Sequence, residues 1–360
     1  MSTEKNIILS ILGLFLCQCM LSCQKSEIKS SNSKLTLSHE PHTSSVRPCY
    51  YTQWTPSSWM HQLPSDFSIA QISIPGTHES AALHGGGPNF TVPIIDVNPS
   101  DVAKCQRISI AEQLQIGVRY LDIRCRRKGN SFDINHGHIY QNLNFEDVLT
   151  TCNTFLQQNP SETIIMKVQE EYKPSKSSES FTQIFNTYCN RYPLLFYKHP
   201  SNSAHIIPTL GEARGKIILM KKFENADQVP VGIDASKRQS NATSVSKLSA
   251  TEKMKVQSIF AVKNAEEKQK YFLPLLDESF EKTGQTSTLY INNTSAYQKL
   301  GGKIPTAYYV NIANDMGKYL IEILKNKGKG NTGIIPMDFI NASYCKAIIE
   351  TNCFDKKTSK

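Results

Sequence analysis

Short apolar runs alternate with helix-like segments along most of this chain. Each run is rich in Ile, Val or aromatic residues and is bounded by residues that break regular structure, the pattern typical of a buried β-strand. We predict strands at Ile69–Ile74, Val118–Cys125, Thr163–Val168, Lys216–Phe223, Ser287–Ile291 and Gly333–Phe339.

Two segments between these runs show helical spacing of their apolar residues. In Phe145–Phe155 the apolar positions recur every three or four residues, with Asn144 as the predicted N-cap and Asn159–Pro160 as the stop. Ile110–Ile116 ends at Gly117, which can adopt the left-handed conformation of a helix C-terminus. Both segments are therefore predicted to be helices that precede or follow a strand.

Alternating strands and helices over this length favour a parallel sheet with helices outside it. A barrel fits better than a doubly wound sheet, because no Gly-rich nucleotide fingerprint opens any helix. The stretches Pro174–Pro208 and Asp227–Lys255 are polar and weakly periodic, so we expect irregular loops there. The predicted fold class is α/β, a single-domain, distorted or incomplete (β/α) TIM-type barrel at residues 49–352.

The N-terminus has the features of an export signal. Lys5 precedes the apolar stretch Ile7–Leu16, so we assign residues 1–23 to a signal peptide. The run Met20–Cys23 resembles the bacterial lipobox, which predicts lipidation of Cys23; the alternative is ordinary signal-peptidase cleavage. Residues 24–48 are predicted to be a disordered tether, and 353–360 a tail. We expect an exported protein, either a cell-surface or outer-membrane lipoprotein anchored at Cys23 or a secreted one.

Composition and charge narrow the function only slightly. The apolar fraction is 39%, and the one long apolar run, Asn6–Met20, falls short of a comfortable membrane span. The net charge of +9 would suit anionic lipid or nucleic acid, but the lysines are dispersed, and a merely basic surface is the simpler explanation. We find no nucleic-acid-binding module and expect no such partner.

The cysteines argue against a zinc site. Seven remain after removal of the signal peptide and lipidation of Cys23, and none has CxxC or CxxH spacing. Up to three disulfides and one spare thiol are possible. Cys152 lies on an apolar helix face and is predicted to be part of the core.

Polar residues cluster where predicted strands end, which is where barrel enzymes place their catalytic groups. One imidazole can remove a proton while another donates one, and a fixed guanidinium can stabilise charge on phosphoryl oxygens. A lone histidine after a strand is usually only a hydrogen-bonding loop residue. The interpretation therefore depends on the co-occurrence of two histidines, one arginine and several carboxylates. The candidates are His78, Glu79, Asp122, Arg124, His136, Glu171 and Asp338.

The segment Ser73–Ser80, Ser-Ile-Pro-Gly-Thr-His-Glu-Ser, resembles the signature of bacterial phosphatidylinositol-specific phospholipase C, where Pro-Gly-Thr-His-Asp-Ser is usual. Further segments resemble those of the family in the same order and extend the similarity over roughly residues 54–350. They are Trp59–Met60, Gly117–Arg124, His136–Gly137, Pro160–Met166, Gly215–Leu219 and Pro336–Ile340.

The resemblance implies a distorted barrel without complete closure and assigns a role to each matching residue. His78 would be the general base on the inositol 2-hydroxyl, supported by Asp338, and His136 the general acid for the diacylglycerol oxygen. Arg124 would occupy the place that calcium fills in eukaryotic relatives, with Asp122 orienting it. The implied product is inositol 1,2-cyclic phosphate, made without cofactor or metal by a monomer acting on phosphatidylinositol-containing membranes.

Several positions depart from the family pattern. Glu79 stands where the family has Asp, and Gln169 where Bacillus-type enzymes have Lys. Glu171 matches an inositol-binding Glu, whereas Lys222 replaces an Arg that contacts the ring. The aromatic platform under the inositol finds no Tyr around residues 247–251. The sequence therefore does not determine which lipid headgroup is preferred, and glycosylated inositol lipids could be accepted.

Two alternatives belong to other functional classes. The substitutions at Glu79 and Gln169 are compatible with a catalytically weak lipid-binding protein on the same fold. A metal-dependent glycerophosphodiester phosphodiesterase would use a similar barrel, but Arg124 argues against it because a cation at the metal position would repel the ion.

Overall fold

The computed structural model describes residues 54–85, 103–201, 203, 205–300, 304–306 and 309–353. The signal peptide, the tether, Cys23 and the last seven residues lie outside these ranges. Within them, no helix is long and apolar enough to cross a membrane.

The strands form one large sheet and one small one. In chain order they are β1 Ile74–Thr77, β2 Tyr120–Lys128, β3 Ser131–His136, β4 Ile139–Asn144, β5 Ile164–Glu170, β6 Ile217–Lys222, β7 Ile233–Asp234, β8 Thr243–Lys247, β9 Lys253–Gln257, β10 Ala261–Val262, β11 Thr288–Asn292, β12 Tyr297–Leu300, β13 Ile304–Thr306 and β14 Ile334–Met337.

Parallel pairing runs through the large sheet in the order β7-β6-β5-β2-β1-β14-β11-β9. The chain order of these strands is that of a (β/α) barrel, with β1 beside both β2 and β14. Among the described strands, β7 and β9 do not pair, so the ring is open there, and β8 adds to β9 in the antiparallel direction. The fold is therefore an open, strongly curled barrel of mostly parallel strands, as predicted.

The helices begin at side chains that cap their free backbone N–H groups. Four of the described α-helices have a reciprocal capping box, from Ser109, Asn144, Ser180 and Thr209. In chain order the α-helices are α1 Ile110–Gln115, α2 Phe145–Gln158, α3 Phe181–Arg191, α4 Leu210–Ala213, α5 Ala265–Glu281, α6 Tyr309–Lys327 and α7 Ala342–Ile349, and short 3-10 helices span Pro56–Gln62, Ile69–Gln71 and Ala226–Gln228.

Most predicted elements are confirmed. α2 begins after Asn144, whose side chain accepts from the Asp147 amide, and Gly117 after α1 has a φ of +113°. Five of the six predicted strands overlap β2, β5, β6, β11 and β14. The prediction for Ile69–Ile74 is wrong, because Ser68 and Gln71 form a capping box that turns Ile69–Gln71 into a 3-10 helix, and β1 begins only at Ile74.

The two stretches expected to be irregular contain regular structure. Within 174–208, α3 packs the rings of Phe181 and Tyr188 against Phe132 of β3, with centroid distances of 4.3 and 5.6 Å. The stretch 227–255 contains β8 and the start of β9, and β9 pairs with both β8 and β11. Both predictions are wrong for the same reason: contacts with distant parts of the chain, absent from the local pattern, stabilise these elements.

A buried ion pair closes the N-terminal end of the barrel. Arg119 Nη2 and Glu162 Oε2 are 2.8 Å apart, and neither side chain is exposed. Arg119 also donates to the carbonyls of Pro56 and Ser57, while Glu162 accepts from the Met60 and His61 amides. The pair therefore fixes the first 3-10 helix to the strands.

The cysteines are mostly reduced and buried. Cys105, Cys125, Cys152, Cys189 and Cys345 are free, and Cys353 is disulfide-bonded. The described cysteines therefore take part in fewer disulfides than the maximum of three that the sequence allowed. Cys152 is fully buried, as predicted for a core residue.

Candidate active site

His78 and Asp338 meet because their strands are neighbours. β1 and β14 pair in parallel with Thr77 opposite Met337, so the next residue of each strand lies at the same end of the barrel. The Nδ1 atom of His78 is 2.8 Å from Asp338 Oδ1, and both residues are buried. The amide of Gln106 donates to the backbone carbonyls of His78 and Met337, which holds the two strand ends together.

An aromatic ring that the sequence did not identify packs on His78. Phe260, in the loop after β9, stacks on the imidazole with a centroid distance of 5.1 Å. Beneath Phe260 lies the ammonium of buried Lys268, 5.6 Å from the ring centroid. The available signal was the position of Phe260 three residues after β9, whose polar and apolar residues alternate, but most of β9 fell in a segment expected to be loop.

Arg124 lies among three carboxylates. Asp122 and Arg124 are two residues apart on β2 and so face the same side of the sheet. Arg124 Nε is 3.0 Å from Asp122 Oδ1, and Nη1 is 3.0 Å from Glu171 Oε2 and 3.2 Å from Glu79 Oε1. Burial opposes the charges, but their mutual attraction raises the pKa of Arg124 well above its ordinary value and lowers that of Asp122.

Lys167 is a second cation that the sequence did not single out. It lies opposite Asp122 in the β2–β5 register, and its Nζ is 2.7 Å from Asp122 Oδ1. Gln169, two residues later, lies opposite Arg124. Burial lowers the pKa of the Lys167 ammonium, although Asp122 opposes this shift. The alternation of β5 was the available signal, since Lys167 and Gln169 share one face of the strand.

His136 reaches the site from the antiparallel extension formed by β3 and β4, not from the end of a barrel strand. Its Nδ1 is 2.8 Å from the carbonyl of Ala103. Because a carbonyl can only accept, Nδ1 carries the hydrogen and Nε2 faces Glu79, whose Oε1 is 3.7 Å away. Glu79 has a φ of +43° and lies beside both His136 and Arg124.

Glu171 and Lys222 complete the predicted set. Glu171 joins Arg124 to the His136 turn, because its Oε1 accepts from the Gly137 amide at 3.0 Å while Oε2 accepts from Arg124. Lys222, at the end of β6, instead donates to the carbonyl of Arg238 at 2.7 Å. Burial, then the charges of Arg238 and Arg124, lower the pKa of Lys222 to about 8.

One trio of side chains in the described ranges could gather around a metal ion. His78, Cys105 and Asp338 each offer a ligand atom within 4.8 Å of the others. His78 and Asp338 already bond to each other, and burial followed by the charge of Asp338 raises the pKa of the Cys105 thiol. The three carboxylates that face Arg124 are occupied by its guanidinium.

Comparison with known proteins finds homologues of one enzyme class. The family model for "Phosphatidylinositol-specific phospholipase C, X domain" matches residues 100–223, a range that contains Arg124 and His136 but neither His78 nor Asp338. The 1-phosphatidylinositol phosphodiesterase of Listeria monocytogenes is 29% identical over 303 residues, which cover 84% of this chain and 86% of the relative.

Solved structures agree with this match. The Listeria monocytogenes phosphatidylinositol-specific phospholipase C superposes with a TM-score of 0.65 at 28% identity, covering 83% of this chain and 99% of the other. A structure of the Staphylococcus aureus enzyme, from work on its membrane binding, gives 0.71 at 25% identity, covering 83% and 98%. With the open barrel, these matches show that the chain is homologous to bacterial 1-phosphatidylinositol phosphodiesterases, which are phosphatidylinositol-specific phospholipases C.

Proposed function

We propose that this protein cleaves phosphatidylinositol to diacylglycerol and inositol 1,2-cyclic phosphate by acid–base catalysis without a metal ion. The observation that carries the proposal is the Arg124 guanidinium, fixed by carboxylates and flanked by two histidines that each face a carboxylate. A fixed cation between a base and an acid is what an in-line phosphoryl transfer needs when no divalent ion is used.

His78 acts as the general base. Its Nδ1 is engaged by Asp338, so Nε2 is the atom left to take the proton of the inositol 2-hydroxyl. The 2-oxygen then forms a bond to phosphorus within the same molecule, which makes the reaction effectively intramolecular. Asp338 stabilises the imidazolium that results.

His136 acts as the general acid. As the bond between phosphorus and the glycerol oxygen breaks, its imidazolium gives the Nε2 proton to that oxygen and diacylglycerol leaves. One proton enters at His78 and one leaves from His136, so solvent exchange restores both. Glu79 Oε1 lies 3.7 Å from His136 Nε2 and so is the carboxylate nearest to the proton that is transferred.

Arg124 stabilises the charge on the phosphoryl oxygens. A guanidinium has five N–H groups. Four of those on Arg124 face described carboxylates, two at Asp122 and one each at Glu171 and Glu79. Among the described residues the remaining N–H, on Nη2, has no acceptor and is available to a phosphoryl oxygen. Asp122 and Glu171 hold the guanidinium plane so that this group keeps its direction.

Glu171 and Lys222 would contact the inositol ring, and glycosylated inositol lipids are further candidate substrates.

We also propose where the protein acts. The protein would be exported, lipidated at Cys23, and would act as a monomer on membranes that contain phosphatidylinositol. Residues 24–48 would then hold the barrel away from the anchoring membrane.

The test is product analysis on phosphatidylinositol vesicles in excess chelator. We expect the parent protein to release inositol 1,2-cyclic phosphate, and the variants His136→Ala and Arg124→Ala to lose most of this activity. Arg191→Ala, at an exposed position on α3, is the matched control. Absence of product at every pH between about 5 and 8, the range in which histidine titrates, would reject the proposal; vesicle binding without turnover would then favour a lipid-binding protein.

A further inference from the structure

Cys105 lies beside both histidines of the site, yet the proposed mechanism gives it no role. Its Sγ atom is 3.9 Å from His136 Nδ1. One ligand atom each of His78, Cys105 and Asp338 lies within 4.8 Å of the other two. The Cys105 side chain is fully buried and takes part in no disulfide. A sulfur ligand that the acid–base chemistry does not use is therefore part of the candidate active site.

Two backbone hydrogen bonds fix the position of Cys105. Its amide donates to the carbonyl of Ala82 at 2.9 Å, and its carbonyl accepts from the amide of Phe339 at 2.8 Å. Ala82 lies after β1 and Phe339 after β14. These are the two strands that are followed directly by His78 and Asp338. The sulfur atom is thus tied to the same pair of strand ends as the imidazole and the carboxylate.

Asp338 has an oxygen atom whose hydrogen-bonding capacity is not used. Oδ1 is 2.8 Å from His78 Nδ1, whereas Oδ2 is buried and has no hydrogen-bond partner in the part of the chain that the structure describes. The whole residue is only 2% exposed, so bulk solvent reaches little of it. A buried charged oxygen without a partner is costly. Independently of the position of the thiol, this oxygen favours a cation beside the carboxylate.

The charges of the three side chains match a divalent ion. A thiolate and a carboxylate each carry one negative charge and a neutral imidazole carries none, so the loaded cluster would be neutral. Neutrality matters because all three residues are buried. Sulfur and nitrogen ligands favour zinc and cadmium, whereas magnesium and calcium prefer oxygen. The cluster lacks CxxC or CxxH spacing because its ligands come from three distant segments of the chain.

The distances suit a tetrahedral ion after small movements. Zinc bonds of about 2.0–2.1 Å to nitrogen and oxygen place these two ligand atoms about 3.3 Å apart, and a bond of about 2.3 Å to sulfur places the sulfur about 3.5 Å from either. The contact between His78 and Asp338 would open from 2.8 Å by about 0.5 Å. The sulfur of Cys105 would approach from no more than 4.8 Å, which rotation about its Cα–Cβ bond can supply.

The surroundings keep the thiol protonated while no cation is bound. Burial raises the pKa of the Cys105 thiol. The negative charges of Asp338, Glu79 and Asp122 act in the same direction, and the positive charge of Arg124 acts in the other. A thiol of this kind is a poor nucleophile, but a metal ion deprotonates the thiol that it binds. The sulfur therefore becomes a ligand only when a metal ion displaces its proton.

We propose that His78, Cys105 and Asp338 form an inhibitory site for a thiophilic divalent cation such as Zn²⁺. The ion takes the place of the hydrogen between His78 Nδ1 and Asp338, and it displaces the proton of the thiol. One proton is released to solvent for each ion, because the hydrogen lost from Nδ1 is regained on Nε2. With a hydrogen on Nε2, the neutral imidazole has no lone pair there to accept the proton of the substrate hydroxyl. The bound ion thus disables the base.

Metal binding without turnover is the direct test, on protein purified without a polyhistidine tag and freed of metal by chelator. Titration with Cd²⁺ should produce the ultraviolet charge-transfer band of a cadmium–thiolate bond at one ion per chain, and calorimetry with Zn²⁺ should show one tight site. Cys105→Ser should abolish the band and weaken Zn²⁺ binding at least about tenfold, since loss of even a group behind a ligand costs that much. Cys189→Ser is the matched control and should change neither, because Cys189, at 8%, is the most exposed of the described free cysteines.

Activity on phosphatidylinositol in metal-buffered solution is the second readout. Zn²⁺ should inhibit the parent and chelator should restore it, whereas Mg²⁺ and Ca²⁺ at the same concentration should have no effect. Each protein is compared with its own activity in chelator. The Zn²⁺ concentration that halves this activity should be at least about tenfold higher for Cys105→Ser than for the parent or Cys189→Ser. The inhibition rests on the proposed function, whereas the binding of the ion does not.

Three results would overturn the site: no cadmium–thiolate band in the parent, unchanged Zn²⁺ binding in a folded Cys105→Ser, or activity that Zn²⁺ leaves unchanged or raises. If Cys105→Ser does not fold, Asp338→Asn decides, because an amide is a weaker zinc ligand than a carboxylate and binding should fall in the same way. Tight binding of Zn²⁺ by a parent that cleaves no phosphatidylinositol would contradict the proposed function and leave the metal site standing. Cleavage in chelator that Zn²⁺ does not inhibit would do the reverse.

Discussion

The imidazole of His78 and the carboxylate of Asp338 form a buried hydrogen bond of 2.8 Å between Nδ1 and Oδ1, across 260 positions of sequence. The other oxygen of Asp338, Oδ2, is buried and has no hydrogen-bond partner among the described residues. The carboxylate therefore has the imidazole as its principal polar contact, and its charge is available to stabilise a protonated His78.

Replacement of Asp338 by Asn should remove that charge while keeping the size of the side chain. We expect kcat on phosphatidylinositol to fall by about 10²–10⁴-fold, as when the acidic member of a catalytic triad is changed to its amide. Steady-state kinetics with a thermal melt would measure this, and Asp66→Asn, at an exposed position, is the control. A loss smaller than about fivefold would show that Asp338 does not support the base.

The Arg124→Lys variant should have low activity although it keeps the positive charge. A lysine ammonium cannot bond Asp122, Glu171 and a phosphoryl oxygen in one plane, so we expect kcat to fall by about 10²–10³-fold with a smaller change in KM. Activity in chelator is the measurement. Near-parental kcat would mean that a point charge suffices and that the fork geometry has no role.

Two variants test the charge and the length of the Glu79 side chain separately. We expect Glu79→Gln to lose at least about tenfold in kcat, because the carboxylate that faces His136 at 3.7 Å becomes neutral. Glu79→Asp should keep more activity and melt no lower than the parent, since Asp tolerates the left-handed backbone at φ +43° better than Glu does. Equal activity of the Gln variant and the parent would remove Glu79 from the mechanism.

Lys268 should make stability depend on pH. Burial lowers its pKa from the ordinary value of 10.5 to about 7. Between these two values the folded state has released a proton that the unfolded state still binds, so the free energy of unfolding should rise with pH, by at most about 1.4 kcal/mol per unit. Below about pH 7 both states hold the proton, and this contribution is constant.

Urea unfolding of the parent and of Lys268→Met at several pH values from about 6 to 9 would measure the effect. The difference in stability between the two proteins should change with pH in favour of the parent as pH rises above 7. Parallel pH dependences would show that Lys268 stays protonated in the fold.

The Arg119–Glu162 pair should matter for stability. Glu162→Ala leaves a buried guanidinium without its carboxylate, and we expect a loss of about 3–5 kcal/mol in the free energy of unfolding. The double variant Arg119→Met/Glu162→Leu should recover part of this loss, because an apolar pair leaves no charge unpaired. Denaturant titration measures both, and equal losses in the single and double variants would contradict the electrostatic explanation.

The sequence alone determined the elements whose signals are local. Asn144 caps α2 through atoms three residues away, Gly117 ends α1, and the apolar runs of β2, β5 and β6 pair as their patterns predict. Motif order also gave the resemblance to the family, and the apolar runs placed His78 and Asp338 at strand ends and Arg124 within a strand.

The tertiary structure decided what depends on register and on distant contacts. Lys167 meets Asp122 only because β5 pairs with β2 in one register, and α3 is held by rings from elsewhere in the chain. Phe260 and Arg238 come from loops at the open side of the barrel, where no periodic pattern indicates which side chain turns inward. Local sequence determines hydrogen bonds and faces within a few residues, whereas the charge balance inside the barrel is a sum over side chains brought together from the whole chain.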